Sequence, residues 1–227
     1  MYEDVIDLCN MKQTVIIVAG GKGLRMGGGL PKQFMPLHGK PVLMHTAEVF
    51  YQWNSHAALI LVIPEEHADY WKMLCKELNF TIPHRLVMGG ETRFHSVRNA
   101  LQMVDPAGLI AIHDGVRPYV SADVITECFR IAEKFGAAIP VIPIFESVRE
   151  ITDSGSHPFD RNKLCIVQTP QVFRADILIK AYKQPYNDRF TDDASVVEAS
   201  GYNINLVDGN PENIKITTPV DLNQSMR

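Results

Sequence analysis

Most of the short signals that would place this chain in a familiar class are missing from it. Its four cysteines, Cys9, Cys75, Cys128 and Cys165, are far apart and form no C-x-x-C pair. That argues against a zinc ribbon or a disulfide framework and leaves reduced, mostly buried thiols. The eight histidines include no H-E-x-x-H. No apolar run reaches the roughly 18 residues that a membrane-spanning helix needs. The opening MYEDVIDLCN is acidic and too weakly apolar for a signal peptide, so the chain reads as cytoplasmic; Met11 stands just before the first strand, so residues 1–10 read as a disordered leader or a misassigned start. An excess of positive charge is missing too, with 22 basic residues against 26 acidic ones. A net charge of −4 opposes non-specific nucleic-acid binding, which needs a basic surface. Neither nucleic acid nor membrane is an expected partner, and any phosphate chemistry must use a local basic site. There is no internal repeat and no low-complexity linker.

The 227 residues are 46% hydrophobic and 21% charged, an ordinary globular balance that suits one large α/β domain over 11–227. Short apolar runs predict strands at Val15–Val18, Ala58–Ile63, Arg85–Met88, Leu109–Ile112, Ala137–Ile144 and Asn205–Val207. Between them, helical spacing predicts helices over Pro41–Trp53, Glu65–Leu78, Glu91–Val104 and Ser121–Phe135, with Ser121 a cap. Gln168–Phe173 leads into a further helix, Ala175–Tyr182. Thr191-Asp192-Asp193 opens another, with Asp192 or Asp193 near its cap, and the last starts at Pro219. Nearly all-apolar strands alternating with helices predict a Rossmann-like, mostly parallel central sheet with helices on both faces. From 145 to 163 the pattern changes. Glu146–Asp160 alternates polar and apolar residues around Asp153-Ser154-Gly155, an extended β-hairpin arm suited to pairing with a second subunit.

In such sheets ligands bind beyond the carboxyl ends of the strands, and three polar clusters follow strands here. The first is Ala19-Gly20-Gly21-Lys22-Gly23-Leu24-Arg25-Met26, continuing to Pro31-Lys32-Gln33. It is neither a Walker A loop nor a full dinucleotide fingerprint, since Met26 stands where the third glycine should fall. Glycines let backbone amides approach a ligand, and Arg25 and Lys32 add cations, a combination suited to polyphosphate. In the second cluster, Gly89-Gly90 with Arg93 and Ser96 forms a glycine turn at a helix start, able to read a base or ribose; Arg93 reads equally as a surface residue. The third is His113–Pro118, where Asp114 is either a Mg²⁺ ligand or one half of an ion pair with Arg117. Arg161, Thr169, Thr191 and Lys215 are polar residues on or near predicted loops, each open to a structural explanation.

Six motifs in order resemble a known family. Ala19–Met26 with Pro31-Lys32-Gln33 is similar to the signature of sugar- and polyol-phosphate nucleotidylyltransferases. Gly89-Gly90-x-x-Arg93-x-x-Ser96-Val97, His113–Pro118, Thr169-Pro170-Gln171, Thr191–Ser195 and Asn213-Ile214-Lys215 narrow the resemblance to the 2-C-methyl-D-erythritol 4-phosphate cytidylyltransferase family of the non-mevalonate isoprenoid pathway. The resemblance implies transfer of CMP from CTP to a polyol phosphate with Mg²⁺. It places Ala19, Gly20, Gly21, Gly23, Gly89, Gly90, Arg93, Ser96 and Gly115 at the nucleotide, and Arg25, Lys32 and Lys215 at the reacting phosphates. Asp114 would bind the metal. Arg117, Ser147, Arg161, Thr169, Thr191 and Lys215 would hold the acceptor, with the arm joining a homodimer. Ser147 stands where the family often has Thr, and Gly20 and Gly115 where it often has Ala. Ribitol-5-phosphate cytidylyltransferases share most of these motifs, and a non-catalytic nucleotide-binding protein is the alternative of another class.

Overall fold

The computed structural model describes residues 11–20 and 30–224. The leader expected over 1–10, and Gly21, Gly23 and Arg25 of the first loop, lie outside those residues. The strands are β1 (Gln13–Val18), β2 (Pro36–Leu37), β3 (Lys40–Pro41), β4 (Ala58–Ile63), β5 (Arg85–Met88), β6 (Leu109–Asp114), β7 (Ala137–Pro143), β8 (Val148–Thr152), β9 (Gly155–Phe159), β10 (Cys165–Val167), β11 (Gln171–Arg174) and β12 (Asn205–Asp208). The helices are α1 (Val42–Trp53), α2 (Ala68–Glu77), α3 (Arg93–Leu101), α4 (Ala122–Phe135), α5 (Ala175–Ala181), α6 (Asp193–Ala199) and α7 (Pro219–Gln224).

Eight strands make one sheet in the order β10-β7-β11-β6-β1-β4-β5, with β12 also on β7. β1 is parallel to β4 and β6, β4 to β5, and β7 to β12; β10 and β11 run antiparallel to their neighbours. The two-residue period of β1 explains why it reads as an unbroken apolar run. Val15 and Ile17 point to a core with Phe50 of α1, Trp71 of α2 and Phe129 of α4. Ile16 points to the opposite core, with Phe94 of α3, Leu178 of α5 and Val197 of α6. Both faces of the strand are therefore covered, which is what a parallel sheet requires.

The structure departs from the predicted elements in ways that local chemistry explains. Gln171–Arg174 is a strand rather than a lead-in to a helix, and it lies between β6 and β7: Val172 pairs with Ala111 and with Ala138. A four-residue run behind Pro170 carries too little periodicity to declare itself. Glu65–His67 is a 3₁₀ turn ahead of α2. The α3 helix starts later than predicted because Thr92 caps it, its hydroxyl accepting from the His95 amide. At α6 the cap is Asp192, which accepts from the Ser195 amide at 2.9 Å while the Ser195 hydroxyl accepts from the Asp192 amide at 3.2 Å. This reciprocal pair satisfies two end groups of the helix and leaves the Asp193 side chain for another use. Of the cysteines described, only Cys128 is buried; Cys165 is exposed on β10.

β8 and β9 form the predicted hairpin, with Thr152 opposite Gly155 across Asp153-Ser154. The arm is exposed along both strands.

Gln171 ties the inserted strand to α6. Its side chain, 1% exposed, donates to the Asp192 carboxylate at 2.8 Å and accepts from the Ala194 amide at 2.9 Å. Gln171→Leu keeps the volume but strands a buried amide, so unfolding in urea is expected to show a loss of about 1–3 kcal/mol. An unchanged midpoint would show that these bonds do not hold the helix.

Candidate active site

The three polar clusters meet because of strand register. Val18, the last residue of β1, pairs with Val62 on one side and Asp114 on the other. The chain continues with Ala19 N–H donating to the Val62 carbonyl, Gly89 N–H to Ile63 and Gly115 N–H to Val18, at 2.8, 2.8 and 2.9 Å. All three loops therefore leave the sheet side by side, and a cavity of about 560 Å³ opens above them. Ala19, Gly20, Lys32, Gly89, Gly90, Arg93, Ser96, Asp114 and Lys215 of the predicted site line it, together with Glu65, Glu66 and Glu91.

At its floor sits one carboxylate among three cations. Asp114 Oδ2 is 3.0 Å from Lys215 Nζ and 3.3 Å from Arg117 Nε, and Oδ1 is 3.8 Å from Arg93 Nε. Burial by itself would raise the pKa of Asp114, but Arg93, Lys215 and Arg117 outweigh it and hold the carboxyl well below the usual carboxylate range. An anionic Asp114 at every physiological pH follows.

Two features bring the lysines there. Gln33, 1% exposed, donates to the Ala19 carbonyl at 2.8 Å and pins the 3₁₀ turn Lys32–Phe34 against the end of β1, so Lys32 faces the cavity. Lys215 precedes Ile216, which is fully buried with Leu37, Val42 and Val116 in a third apolar cluster. Ile216 N–H donates to the Val116 carbonyl at 2.9 Å, which fixes the backbone one residue from the Lys215 side chain.

Behind Asp114 runs a chain of bonds with one consistent direction. The Asp114 amide donates to the Thr169 hydroxyl at 3.1 Å. The Arg117 carbonyl can only accept, so His113 Nε2–H donates to it at 3.0 Å; with the buried ring neutral, Nδ1 accepts from the Thr169 hydroxyl at 3.1 Å. Burial pushes the His113 pKa down to about 4, although the bond to the Arg117 carbonyl and the nearby Asp114 favour its charged form. Arg117 also donates to the Asn213 carbonyl at 2.7 Å. Thr169 and Arg117 thus stand behind Asp114 and outside the cavity lining, where they fix the end of β6.

Several other predicted residues lie elsewhere. Thr191 is exposed just ahead of the α6 cap, and Ser147 and Arg161 are exposed at the base of the arm, where Arg161 donates to the Phe145 carbonyl. Gly115 N–H is engaged by β1. The Gly89 and Gly90 amides, predicted to face a ligand, are taken up within the protein: Gly89 by Ile63, Gly90 by the Ser96 hydroxyl at 3.0 Å. That turn presents bare backbone instead. A Cβ on Gly90 would lie 2.5 Å from the His95 Cβ, which is why only glycine fits against the first turn of α3.

The sequence profile described as IspD, 2-C-methyl-D-erythritol 4-phosphate cytidylyltransferase, matches residues 13–226. The chain belongs to this family. A relative of that name from Bacteroides fragilis is 57% identical over 93% of this chain and 97% of its own. One from Bacteroides thetaiotaomicron is 55% identical with the same coverage. The crystal structure of 4-diphosphocytidyl-2C-methyl-D-erythritol synthase from Anaerococcus prevotii superposes with a TM-score of 0.80 at 27% identity, covering 95% of this chain and 94% of that one.

In this member of the cytidylyltransferase family, three side chains without a predicted role hold the site together. Gln33 was present only as the last letter of a motif, His113 only as the neighbour of Asp114, and Asp193 only as a possible cap. A polar residue inside an apolar run, as His113 is in Leu109–Asp114, was the available signal that something must satisfy it. Gly20 has room for a methyl, 3.4 Å from Ser96 Oγ, whereas at Gly115 one would come within 2.9 Å of the Ala19 Cβ.

The depressed His113 pKa has a signed consequence. Between its ordinary value of 6.5 and about 4, the unfolded chain takes up a proton that the folded chain refuses, so stability falls as pH falls through that window. Asp114, also depressed, adds to the loss only below the ordinary carboxylate range, about pH 4. Urea midpoints are expected to drop between pH 7 and 4, with the dependence flattened in His113→Gln. A wild-type midpoint that is level across this range would contradict the buried neutral imidazole.

Proposed function

We propose that this chain transfers CMP from CTP to 2-C-methyl-D-erythritol 4-phosphate, releasing pyrophosphate and forming 4-diphosphocytidyl-2-C-methyl-D-erythritol. The observation that carries the reading is the charged floor of the cavity, where Arg93 and Lys215 meet Asp114 at the carboxyl edge of the sheet and Lys32 lines the same space. A site of this kind suits an anionic nucleotide meeting an anionic acceptor. The family relationship supplies the two substrates.

The acceptor's phosphate oxygen attacks the α-phosphorus of CTP. One P–O bond forms, the bond to the β-phosphate oxygen breaks, and pyrophosphate leaves with its electron pair. With a second pKa of about 6, a phosphate monoester is already largely dianionic at neutral pH, and no general base is required. Rate enhancement comes from positioning and from charge stabilisation of the five-coordinate phosphorus. Lys32 and Lys215, with Arg25 from the first loop, supply that charge. Ala19, Gly20 and Gly23 of that loop, with Gly89, Gly90 and Ser96, shape the nucleotide's place. Arg117 and Thr169 contribute to the acceptor side by fixing Asp114.

Mg²⁺ fits this site as an ion carried by the nucleotide. Among the described residues no group of three or more His, Cys, Asp or Glu side chains could form a cage. One carboxylate, Asp114, together with phosphate oxygens and water is the donor set Mg²⁺ favours. When bound, it neutralises phosphate charge. Acceptor contacts from Thr191, Ser147 and Arg161 belong to the same proposal. Ser147 and Arg161 would reach a site across a homodimer whose interface is the arm, where Phe145 and Ile151 are 68% and 86% exposed, burial that a second subunit would supply.

Pyrophosphate release from CTP is expected with 2-C-methyl-D-erythritol 4-phosphate and to be far slower with ribitol 5-phosphate; turnover with ribitol 5-phosphate alone overturns the substrate assignment. Lys215→Ala is expected to lower kcat by about 10²–10³, the loss typical of one transition-state contact. Unchanged turnover would remove Lys215 from the reaction. Light scattering should give a dimer, and Ile151→Asp a shift towards monomer; a monomeric wild type would contradict the arm interface.

A further inference from the structure

Asp193 is a fully buried carboxylate with no part in capping its helix, which Asp192 already caps. Its Oδ1 accepts from the Tyr182 hydroxyl and its Oδ2 from Arg93 Nη2, both at 2.6 Å. Stability is a weak reason to keep such a pair, because a buried ion pair is often replaceable by apolar groups at little cost. The other face of the same guanidinium looks at the reaction centre. Arg93 lines the cavity, and its Nε lies 3.8 Å from Asp114. Arg93 is therefore shared between two carboxylates and leans towards the one outside the cavity.

That lean matters for any cation arriving with the nucleotide. Asp114 already faces Lys215 at 3.0 Å and Arg117 at 3.3 Å. A third cation in direct contact would leave its oxygens little negative potential to offer a divalent ion. We infer that Asp193 is a positioning residue which holds the Arg93 guanidinium back from Asp114 and so keeps Asp114 able to receive Mg²⁺ together with CTP. The inference rests on the proposed function, since it supposes that a metal-bearing nucleotide occupies this cavity.

The test is calorimetric titration of CTP into the full chain at graded Mg²⁺ concentrations and in chelator, with thermal melts alongside. Asp193→Asn keeps the shape and an oxygen that accepts from Arg93, with the Tyr182 hydroxyl turned to accept from the new amide, but it removes the charge that holds the Arg93 guanidinium away from Asp114. The Mg²⁺ concentration for half-maximal CTP binding is expected to rise about tenfold or more, as one added charge contact would produce, while binding in chelator is not weakened. The double variant Arg93→Gln with Asp193→Asn leaves a neutral hydrogen-bonded pair and removes the competing cation. Its Mg²⁺ requirement is expected to fall below that of wild type. A wild-type requirement in either soluble variant overturns the inference, as does a requirement raised equally in both; if the single variant fails to fold, the double variant decides alone. Should the wild-type chain bind no CTP even in Mg²⁺, the proposed function fails instead, and the two failures are thereby told apart.

Discussion

Everything in the site is arranged about the charge on Asp114. A carboxylate at the end of a buried strand would protonate if burial alone acted on it. It stays ionised because Lys215, Arg117 and Arg93 converge on it from three separate parts of the chain. Arg93 is also held by Asp193 and Arg117 by the Asn213 carbonyl, so Asp114 is the point where the three cations meet. The cluster is thus a mutual constraint: it brings together the loop after β6, the turn before α3 and the segment after β12.

The supports around it are specific. Strand β11, slotted antiparallel between β6 and β7, sets Thr169 behind the Asp114 amide, and the Arg117 carbonyl, which can only accept, fixes the tautomer of His113. The third apolar cluster places Lys215 through Ile216. Gln33 holds the turn that presents Lys32. Through Asp193 the start of α6 is tied to Arg93, so the side of the site near Thr191 and the floor of the nucleotide cavity share one guanidinium.

How much of this could be read from sequence depended on the kind of signal. The parallel sheet was legible because strands covered on both faces become unbroken apolar runs, as Ala58–Ile63 does, and the hairpin because Asp153-Ser154-Gly155 punctuates an alternating segment. Lys32, Arg93, Asp114 and Lys215 were legible as motif residues; the register of β1, β4, β5 and β6 brings the first three together, and the packing of Ile216 adds Lys215. Strands β10 and β11 were not legible: three or four residues carry no clear period, and their place is decided by pairing with strands distant in the chain. The direction of the Gly89 and Gly90 amides was not legible either, because a glycine turn looks alike whether its donors face a ligand or a neighbouring carbonyl. Nor could sequence separate the Asp192 cap from the buried Asp193 beside it, since the two differ only in where the side chain turns.

The chemistry that fits this arrangement is electrostatic. Among the described residues lining the cavity there is no cysteine or histidine, and the Ser96 hydroxyl is occupied, accepting from Gly90 and donating to the Thr92 carbonyl at 3.0 Å. A charged floor with no activated nucleophile among the described residues fits the proposed single displacement at phosphorus. The most direct test of that claim is the stereochemical course with CTP carrying sulfur of defined configuration at the α-phosphorus. A single displacement on the acceptor's phosphate oxygen predicts inversion at that phosphorus. Retention would mean two displacements through a nucleotidyl-enzyme, and would contradict an account in which positioned charge around Asp114 is the whole of the protein's part.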